Sequence, residues 1–241
     1  MSRLGSQVRT EVGLVVRNGE QLLLTLVIPV MLLVFFSLVD VLPTGGVDAV
    51  EFLTPGILAL AVMSTAMVSL GIATGFERSY HVLKRLGTTP LGRPRLVAAK
   101  TIAVAVVEVV QFVVLIGVAA LLGWSPQAGG WLPALGGVVL GTLAFAGIGL
   151  TLAGRLRGEI NLAAQNALYL VLLLGGGLVI SVDEFPDAMR HGARILPSGA
   201  LADILRDALG DPVAHVATSW LVLGAWAVVG PILAAALFRW D

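Results

Sequence analysis

The sequence contains no cysteine, and only 12% of its residues are charged. Without cysteine, disulfide bonds and thiolate metal sites are excluded. Its two lysines, Lys84 and Lys100, follow no glycine-rich phosphate loop, so a P-loop for ATP hydrolysis is absent. The three histidines are widely scattered, and no serine, histidine and aspartate constellation is evident. We therefore expect no catalytic residue and no metal site on this chain.

Long apolar runs dominate what is present, with 57% apolar residues and a mean hydropathy of +0.95. A membrane span needs about 20 predominantly apolar residues, and in hydrocarbon such a run satisfies its backbone polar groups as a helix. We predict an all-α integral membrane protein. The six predicted transmembrane helices lie within residues 21–41, 55–76, 98–123, 132–154, 162–181 and 213–238.

Basic residues predict the orientation of these spans. If the N-terminus is cytoplasmic, only Arg190, Arg194 and Arg206 of the 15 basic residues fall outside. This bias obeys the positive-inside rule. We expect a multi-pass protein with both termini in the cytoplasm. The alanine-, valine- and glycine-rich, lysine-poor composition suggests a bacterial cytoplasmic (inner) membrane.

Residues 1–20 predict an interfacial helix rather than a cleaved signal peptide, because the segment is polar and the first apolar run comes late. One helical face carries Leu4, Val8, Val12, Val15 and Val16, and we expect the other face to turn Arg3, Arg9, Arg17 and Glu11 to water and headgroups. The alternative is a frayed polar tail.

The stretch FERSYHVLKRLGTTPLGRPRLVAAK, residues 76–100, interrupts the apolar sequence with a cluster of basic groups. Leu83 and Leu86 form an apolar stripe from which Lys84 and Arg85 face away. Thr89 and Pro90 are typical of a helix start. We predict a short helix across the membrane surface. A basic loop that only determines topology is the alternative.

The order of these residues resembles the segment after the second span of ABC-2 type ABC transporter permeases. That segment has Glu-Arg, here Glu77-Arg78, then a glycine, a leucine-rich short helix, a Thr-Pro or Ser-Pro pair, and a basic residue opening span 3. The sequence departs from the pattern at His81, where that glycine usually sits. The resemblance implies that residues 1–241 form a single ABC-2 type transmembrane domain.

The resemblance further implies that residues 77–95 form a cytoplasmic coupling helix, between spans 2 and 3, that docks on a separate ATP-binding subunit. ATP and Mg would be bound by that partner, with no cofactor on this chain, and the permease would work as a homodimer or as one of two paired permeases. The expected interface residues are Glu77, Arg78, Tyr80, His81, Leu83, Lys84, Arg85, Leu86, Thr89, Pro90 and Arg93.

Residues 182–212, between spans 5 and 6, form a second family-like region. The resemblance implies short re-entrant helices that cap the pathway from the outside, with Phe185, Pro186, Pro197 and Ser198 at an outer gate. Ser198 is a possible N-cap for an amphipathic helix that Gly210 would end. The alternative is a surface helix lying on headgroups.

Polar residues within the spans are candidates for a translocation path. Charged groups in a membrane are expensive and are often functional. A structural carboxyl and interhelical hydrogen bonds are the respective alternatives for the acidic group and for the polar stripe of span 5. Glycines in span 4 predict close helix packing rather than nucleotide binding. The candidate path residues are Glu108, Gln111, Asn161, Gln165 and Tyr169.

These features together predict the permease subunit of an ATP-driven exporter for a hydrophobic or amphipathic substrate, such as a drug, a natural product or a lipid-like molecule. Within the same fold, the alternative is an exporter of polysaccharide or glycolipid. A secondary transporter or a membrane scaffold is the alternative from a different class. Nucleic acid is disfavoured because the basic stretch lacks interleaved aromatic residues apart from Tyr80.

Overall fold

The computed structural model describes residues 3–17, 19–39, 48–82, 93–178, 185–210 and 212–237. All regular structure within these ranges is helical, and they contain no strand. The elements in chain order are α1 (Arg3–Arg17), α2 (Gly19–Leu38), α3 (Ala49–Met63), a π-helical segment (Ser64–Ser69), α4 (Leu70–Ser79), α5 (Arg93–Leu121), α6 (Trp131–Ala153), α7 (Gly158–Gly175), α8 (Asp187–Arg194), α9 (Pro197–Leu209) and α10 (Val216–Leu237).

Four helices in the described residues are long and apolar enough to cross a membrane. They are Ala49–Ser79, which joins α3, the π-helical segment and α4, then Arg95–Leu121, Trp131–Ala153 and Val216–Leu237. A shorter apolar helix covers Thr25–Leu38 within α2. The all-helical membrane class predicted from composition is therefore confirmed, while the count of six spans stays a prediction.

Helices α6 and α10 approach each other closely because glycines stand where they cross. A Cβ atom on Gly147 would collide with the backbone of Gly230 and Pro231. On another side of α6, a Cβ atom on Gly149 would lie 2.5 Å from the carbonyl oxygen of Met67. Small residues of this kind let helix backbones meet in a membrane, where packing drives helix association. The packing role predicted for the span 4 glycines is confirmed at these two positions.

Helix α9 is enclosed by the bundle rather than lying on its surface. Its Leu201 and Ile204 are buried and pack against α6, where Cβ atoms on Gly141 and Gly137 would lie 2.8 and 2.7 Å from them. The alternative of a surface helix on headgroups is therefore wrong for α9. Gly210 follows its last helical residue, as predicted.

The predicted cap of α9 is wrong. Leu196 occupies the N-cap position and Pro197 follows at the first helical position, where a missing N–H costs nothing. Ser198 lies inside the helix, and its hydroxyl donates instead to the carbonyl oxygen of Leu172 in α7, at 2.9 Å. Proline at the first helical position is a recognised start signal, and here it determines where the helix begins.

Contacts between connections define two ends of the bundle. At the Lys100 end, the last turn of α4 meets the turn that joins α6 to α7, through Arg78. At the Trp131 end, the loop before α6 meets the end of α9, where Gln127 bonds to Leu209 and Gly210. The names Lys100 end and Trp131 end are used below.

Candidate functional site

Three charged side chains from three helices meet at the Lys100 end. The Nζ atom of Lys100 in α5 lies 2.9 Å from Oε2 of Glu11 in α1, and 2.7 and 3.0 Å from the two carboxylate oxygens of Glu77 in α4. Lys100 is only 2% exposed and Glu11 only 6%. This ion triad joins the N-terminal helix to the helices on either side of residues 80–92.

Attraction between the opposite charges stabilises the triad. Moving a charged group out of water costs several kcal/mol, and the loss is offset only by close, hydrogen-bonded partners of opposite charge. Lys100 has three N–H groups and makes three hydrogen bonds here, one to Glu11 and two to Glu77. Glu11 was predicted to face water, and this is wrong, because its carboxylate is the partner of a lysine that α5 buries.

Arg78, next to Glu77 in the chain, makes a different connection. Its guanidinium donates to the carbonyl oxygens of Ala153 and Leu156, at 3.4 and 3.2 Å. The Ala153 carbonyl ends α6, where backbone acceptors lack helical partners and the helix dipole favours a cation, and the Leu156 carbonyl lies in the turn that follows. Glu77 therefore links the end of α4 to α1 and α5, and Arg78 links it to the end of α6.

The chain leaves this junction through an exposed turn. Tyr80 is 74% exposed and its ring stacks on Phe76, with the ring centroids 6.3 Å apart. His81 follows with a φ of 59°, which is left-handed backbone that glycine adopts without penalty. His81 thus has a backbone conformation that suits the glycine that the family pattern places there.

A cavity of about 440 Å³ lies beside the triad, between α1, α4 and α5. All three triad residues line it, together with Tyr80 and Val82 from the exposed turn. The site is therefore a partly open, mostly apolar junction that carries three charged side chains and includes the first predicted coupling residues, Glu77 and Tyr80.

Several predicted interface residues lie outside the described residues. They are Leu83, Lys84, Arg85, Leu86, Thr89 and Pro90, and for Arg93 the structure describes only the backbone, which opens α5. The structure thus brings together Glu77, Arg78, Tyr80 and His81, and docking by any of these residues stays a prediction.

The predicted path residues of α5 contact neighbouring helices. Glu108 is 2% exposed, and its Oε2 accepts a hydrogen bond of 2.6 Å from the Thr142 hydroxyl in α6. Gln111 accepts from Thr65 in the π-helical segment and donates to the Thr25 carbonyl in α2, at 2.9 and 2.6 Å. Gln111 therefore joins three helices.

The polar stripe of α7 makes interhelical hydrogen bonds. Asn161 donates to the Gly71 carbonyl in α4, and Gln165 donates to the Gly149 carbonyl in α6, each at 2.9 Å. Both amides are fully buried, whereas Tyr169 lines a separate cavity of about 270 Å³ against α2. These contacts match the alternative of interhelical bonding, and the path assignment for the five residues stays a prediction.

The predicted outer gate residues fall into two groups, at the starts of α8 and α9. Phe185 and Pro186 precede α8, and Pro186 is exposed there. Pro197 and Ser198 are buried in the first turn of α9. The structure brings each pair to a helix start, and it does not test gating.

Two polar contacts of α9 were missed by sequence reasoning. Asp203 in α9 accepts hydrogen bonds from Ser219 at 2.9 Å and lies 3.2 Å from the His215 ring nitrogen. Arg206 stands over the Phe52 ring at 4.8 Å. No local signal marked these contacts, because Asp203 and Arg206 lie on the side of the amphipathic helix opposite Leu201 and Leu205, where charged residues are ordinary. Within the described part of the chain, no cluster of three or more metal-binding side chains occurs.

Long apolar helices packed in a bundle, with a charged junction at one end, define an integral membrane protein. The model of the ABC-2 family transporter proteins matches residues 41–236, and the chain belongs to this family. By family it is a transport permease, a class of protein that pairs with an ATP-binding ABC subunit.

Curated relatives cover most of the chain. YvfS of Bacillus subtilis (strain 168), named as a transport permease, is 29% identical over 206 residues, which is 82% of each chain. Nodulation protein J of Rhizobium meliloti (strain 1021) is 29% identical over 205 residues, covering 80% of this chain and 75% of its own. Nodulation protein J of Rhizobium leguminosarum bv. trifolii is 30% identical over 209 residues, covering 81% and 75%.

Proposed function

We propose that the chain is the transmembrane subunit of an ATP-driven exporter that moves a hydrophobic or amphipathic substrate out of the cell. The observation that carries this proposal is the ion triad of Lys100, Glu11 and Glu77, which ties three helices together at the base of residues 80–92. A partner that displaces that segment would move all three helices together, because moving one of them relative to the others would separate the charges of the triad.

Arg78 extends the same connection to a fourth helix. Its hydrogen bonds to Ala153 and Leu156 attach the end of α4 to the end of α6. Closure of two ATP-binding subunits on ATP would move the segment as a rigid attachment, and rigid-body movement of helices is a common way to switch a packed protein between states. ATP and Mg would be bound by the partner.

We further propose six spans with both termini in the cytoplasm of a bacterial cell. The apolar part of α2 and helix α7 would be the two further spans beside the four longer ones. Support comes from the basic residues Arg78, Lys100, Arg155 and Arg157, which lie at the Lys100 end in the described part of the chain. A cysteine introduced as Arg85→Cys in this cysteine-free chain should resist a membrane-impermeant thiol reagent added to intact cells, whereas Gln127→Cys at the Trp131 end should react. The reverse labelling would overturn this orientation.

Two copies, or this chain with a second permease, would form the complete exporter. An apolar surface on α2 and α7 is available for such a contact, because Phe35, Met31, Leu170 and Leu174 point away from the packed core. A hydrophobic or amphipathic substrate fits a path between such surfaces.

The coupling proposal is tested by changing the two leucines of the predicted docking stripe. Leu83→Asp with Leu86→Asp should abolish copurification with the ATP-binding subunit and substrate-stimulated ATPase activity, because charged groups cannot fill an apolar groove without a large desolvation cost. The matched control, Leu83→Met with Leu86→Met, preserves volume and apolarity and should retain both. Full activity of the aspartate variant would overturn the assignment.

A further inference from the structure

A cavity of about 290 Å³ lies between α5 and α6, away from the triad. Its volume is near the lower end of the roughly 300–1,000 Å³ typical of small-molecule sites. Ile102, Val109, Leu135 and Val139 line it and are themselves exposed at the surface of the bundle. The cavity therefore opens sideways, toward whatever surrounds these helices, and not only toward the ends of the bundle.

The shape of the cavity suits an extended apolar group. Its lining follows α5 from Thr101 to Ile116, a length of about 22 Å at 1.5 Å per residue. Aliphatic and aromatic side chains supply most of the walls, and Trp131 lies at one end. An alkyl chain or a narrow aromatic body would fit this elongated space better than a compact polar molecule.

Glu108 is the ionisable residue among the described residues that line this cavity, and it lies near the middle of the α5 wall. Thr142 donates to its Oε2, but its Oε1 is buried and has no hydrogen-bond partner in the described part of the chain. A buried acceptor without a donor costs about 1–3 kcal/mol. A ligand that brings a donor into this cavity would recover that loss.

We propose that this cavity binds a hydrophobic amine, with the nitrogen at the Glu108 carboxyl and the apolar body along α5 and α6. An amine matches the carboxyl by charge complementarity. The pair stays hydrogen-bonded wherever the shared proton resides, because an ammonium donates to a carboxylate and a carboxylic acid donates to a neutral amine. Anionic amphiphiles are disfavoured, because an anionic head group brings no donor to Oε1 and its charge is costly to bury in an apolar cavity.

This inference deepens the proposed function, since a hydrophobic amine would be one substrate class of the exporter. Its test needs neither ATP nor a partner subunit. Radiolabelled decylamine is titrated into the permease in nanodiscs, and uptake by empty nanodiscs is subtracted to remove simple partition into lipid. Decanol and decyl sulfate, which share the alkyl chain and differ in the head group, serve as competitors.

We expect saturable binding near one decylamine per chain, displaced poorly by decanol and not by decyl sulfate. Glu108→Gln should weaken binding by roughly tenfold or more, as expected for loss of a hydrogen bond to a charged group. Glu51→Gln makes the same chemical change in a carboxyl outside the cavity, which bonds to Ser125, and should bind normally.

A second variant tests the cavity without touching the carboxyl. Ala105 lines the space, and Ala105→Phe should obstruct it and lower decylamine binding while Glu108 stays intact. Thermal unfolding of each variant shows whether it is folded. Uptake that is no greater than in empty nanodiscs, or equal binding by the wild type and Glu108→Gln, would overturn the inference. Binding of decylamine by a permease that recruits no ATP-binding subunit would overturn the proposed function alone.

Discussion

The Nζ atom of Lys100 and the carboxylate of Glu11 lie 2.9 Å apart although 89 residues separate them in the chain. This contact attaches the N-terminal amphipathic helix to the start of α5, and Glu77 completes it from the end of α4. The basic cluster after α4 therefore begins at a buried ionic junction. We regard this junction as the structural base of coupling.

Replacing Lys100 tests that junction. Lys100→Met leaves the buried Glu11 and the partly buried Glu77 without their cation and should lower the free energy of unfolding by about 3–5 kcal/mol, the usual cost of breaking a buried pair. Thermal unfolding of the purified permease in detergent measures the loss. Arg95→Met, an equivalent change at an exposed position of the same helix, should shift the midpoint little.

A compensating variant separates charge from shape at this junction. Adding Glu11→Gln and Glu77→Gln to Lys100→Met removes the uncompensated charges and should restore part of the lost stability. If Lys100→Met behaves like Arg95→Met, the triad contributes no stability and the account of the junction is wrong.

His81 adopts a backbone conformation that suits glycine. His81→Gly should raise the stability of the turn by about 0.5–1 kcal/mol, because it relieves a left-handed φ of 59° on a residue with a Cβ atom. His81→Ala retains the Cβ atom and should give no such gain. Hydrogen exchange of the neighbouring amides reports the difference. Equal protection in both variants would show that the conformation carries no strain.

Gly147 should tolerate no side chain. Gly147→Ala would place a methyl group against the backbone of Gly230 and force α6 and α10 apart, at about 1–3 kcal/mol. Gly224 in α10 has no neighbour within 4 Å of a built Cβ atom, so Gly224→Ala should be neutral or stabilising. Thermal unfolding distinguishes the two, and an equally mild effect of both would mean that the helices are less close than described.

Two amides of α7 distinguish a structural role from a path role. Asn161→Ala removes the bond to the Gly71 carbonyl and should cost about 0.5–2 kcal/mol. Asn166→Ala removes an exposed amide that donates to the Leu162 carbonyl within its own helix, and should cost less. Unfolding and transport are measured on both variants. A transport defect in Asn161→Ala with unchanged stability would instead favour the path role.

The sequence was most informative where one physical rule dominated. Apolar length predicted the helices that begin near residues 93, 131 and 216, because hydrocarbon leaves the backbone few alternatives. The predicted helix over residues 1–20 is present as Arg3–Arg17. Glycines in span 4 predicted close packing because a residue without a side chain lets helix backbones approach each other.

Pairing between distant residues was beyond the sequence. Glu11 is one of several charges on an amphipathic helix, and nothing local marks it as the partner of Lys100, since burial of that lysine depends on how three helices meet. The π-helical segment Ser64–Ser69 likewise has no distinctive sequence, yet it places Thr65 against Gln111. Ser198 was predicted to be the N-cap of α9, but Pro197 is already the first helical residue, so Ser198 lies inside the helix.

The most direct test of the central claim is purification of the tagged, full-length permease from its native host in mild detergent with nucleotide, followed by identification and quantification of the proteins that copurify. The account predicts an ATP-binding ABC subunit in a ratio near one to one, lost in Leu83→Asp with Leu86→Asp and retained in the paired methionine control. A permease that reproducibly purifies without any ATP-binding subunit would contradict the account.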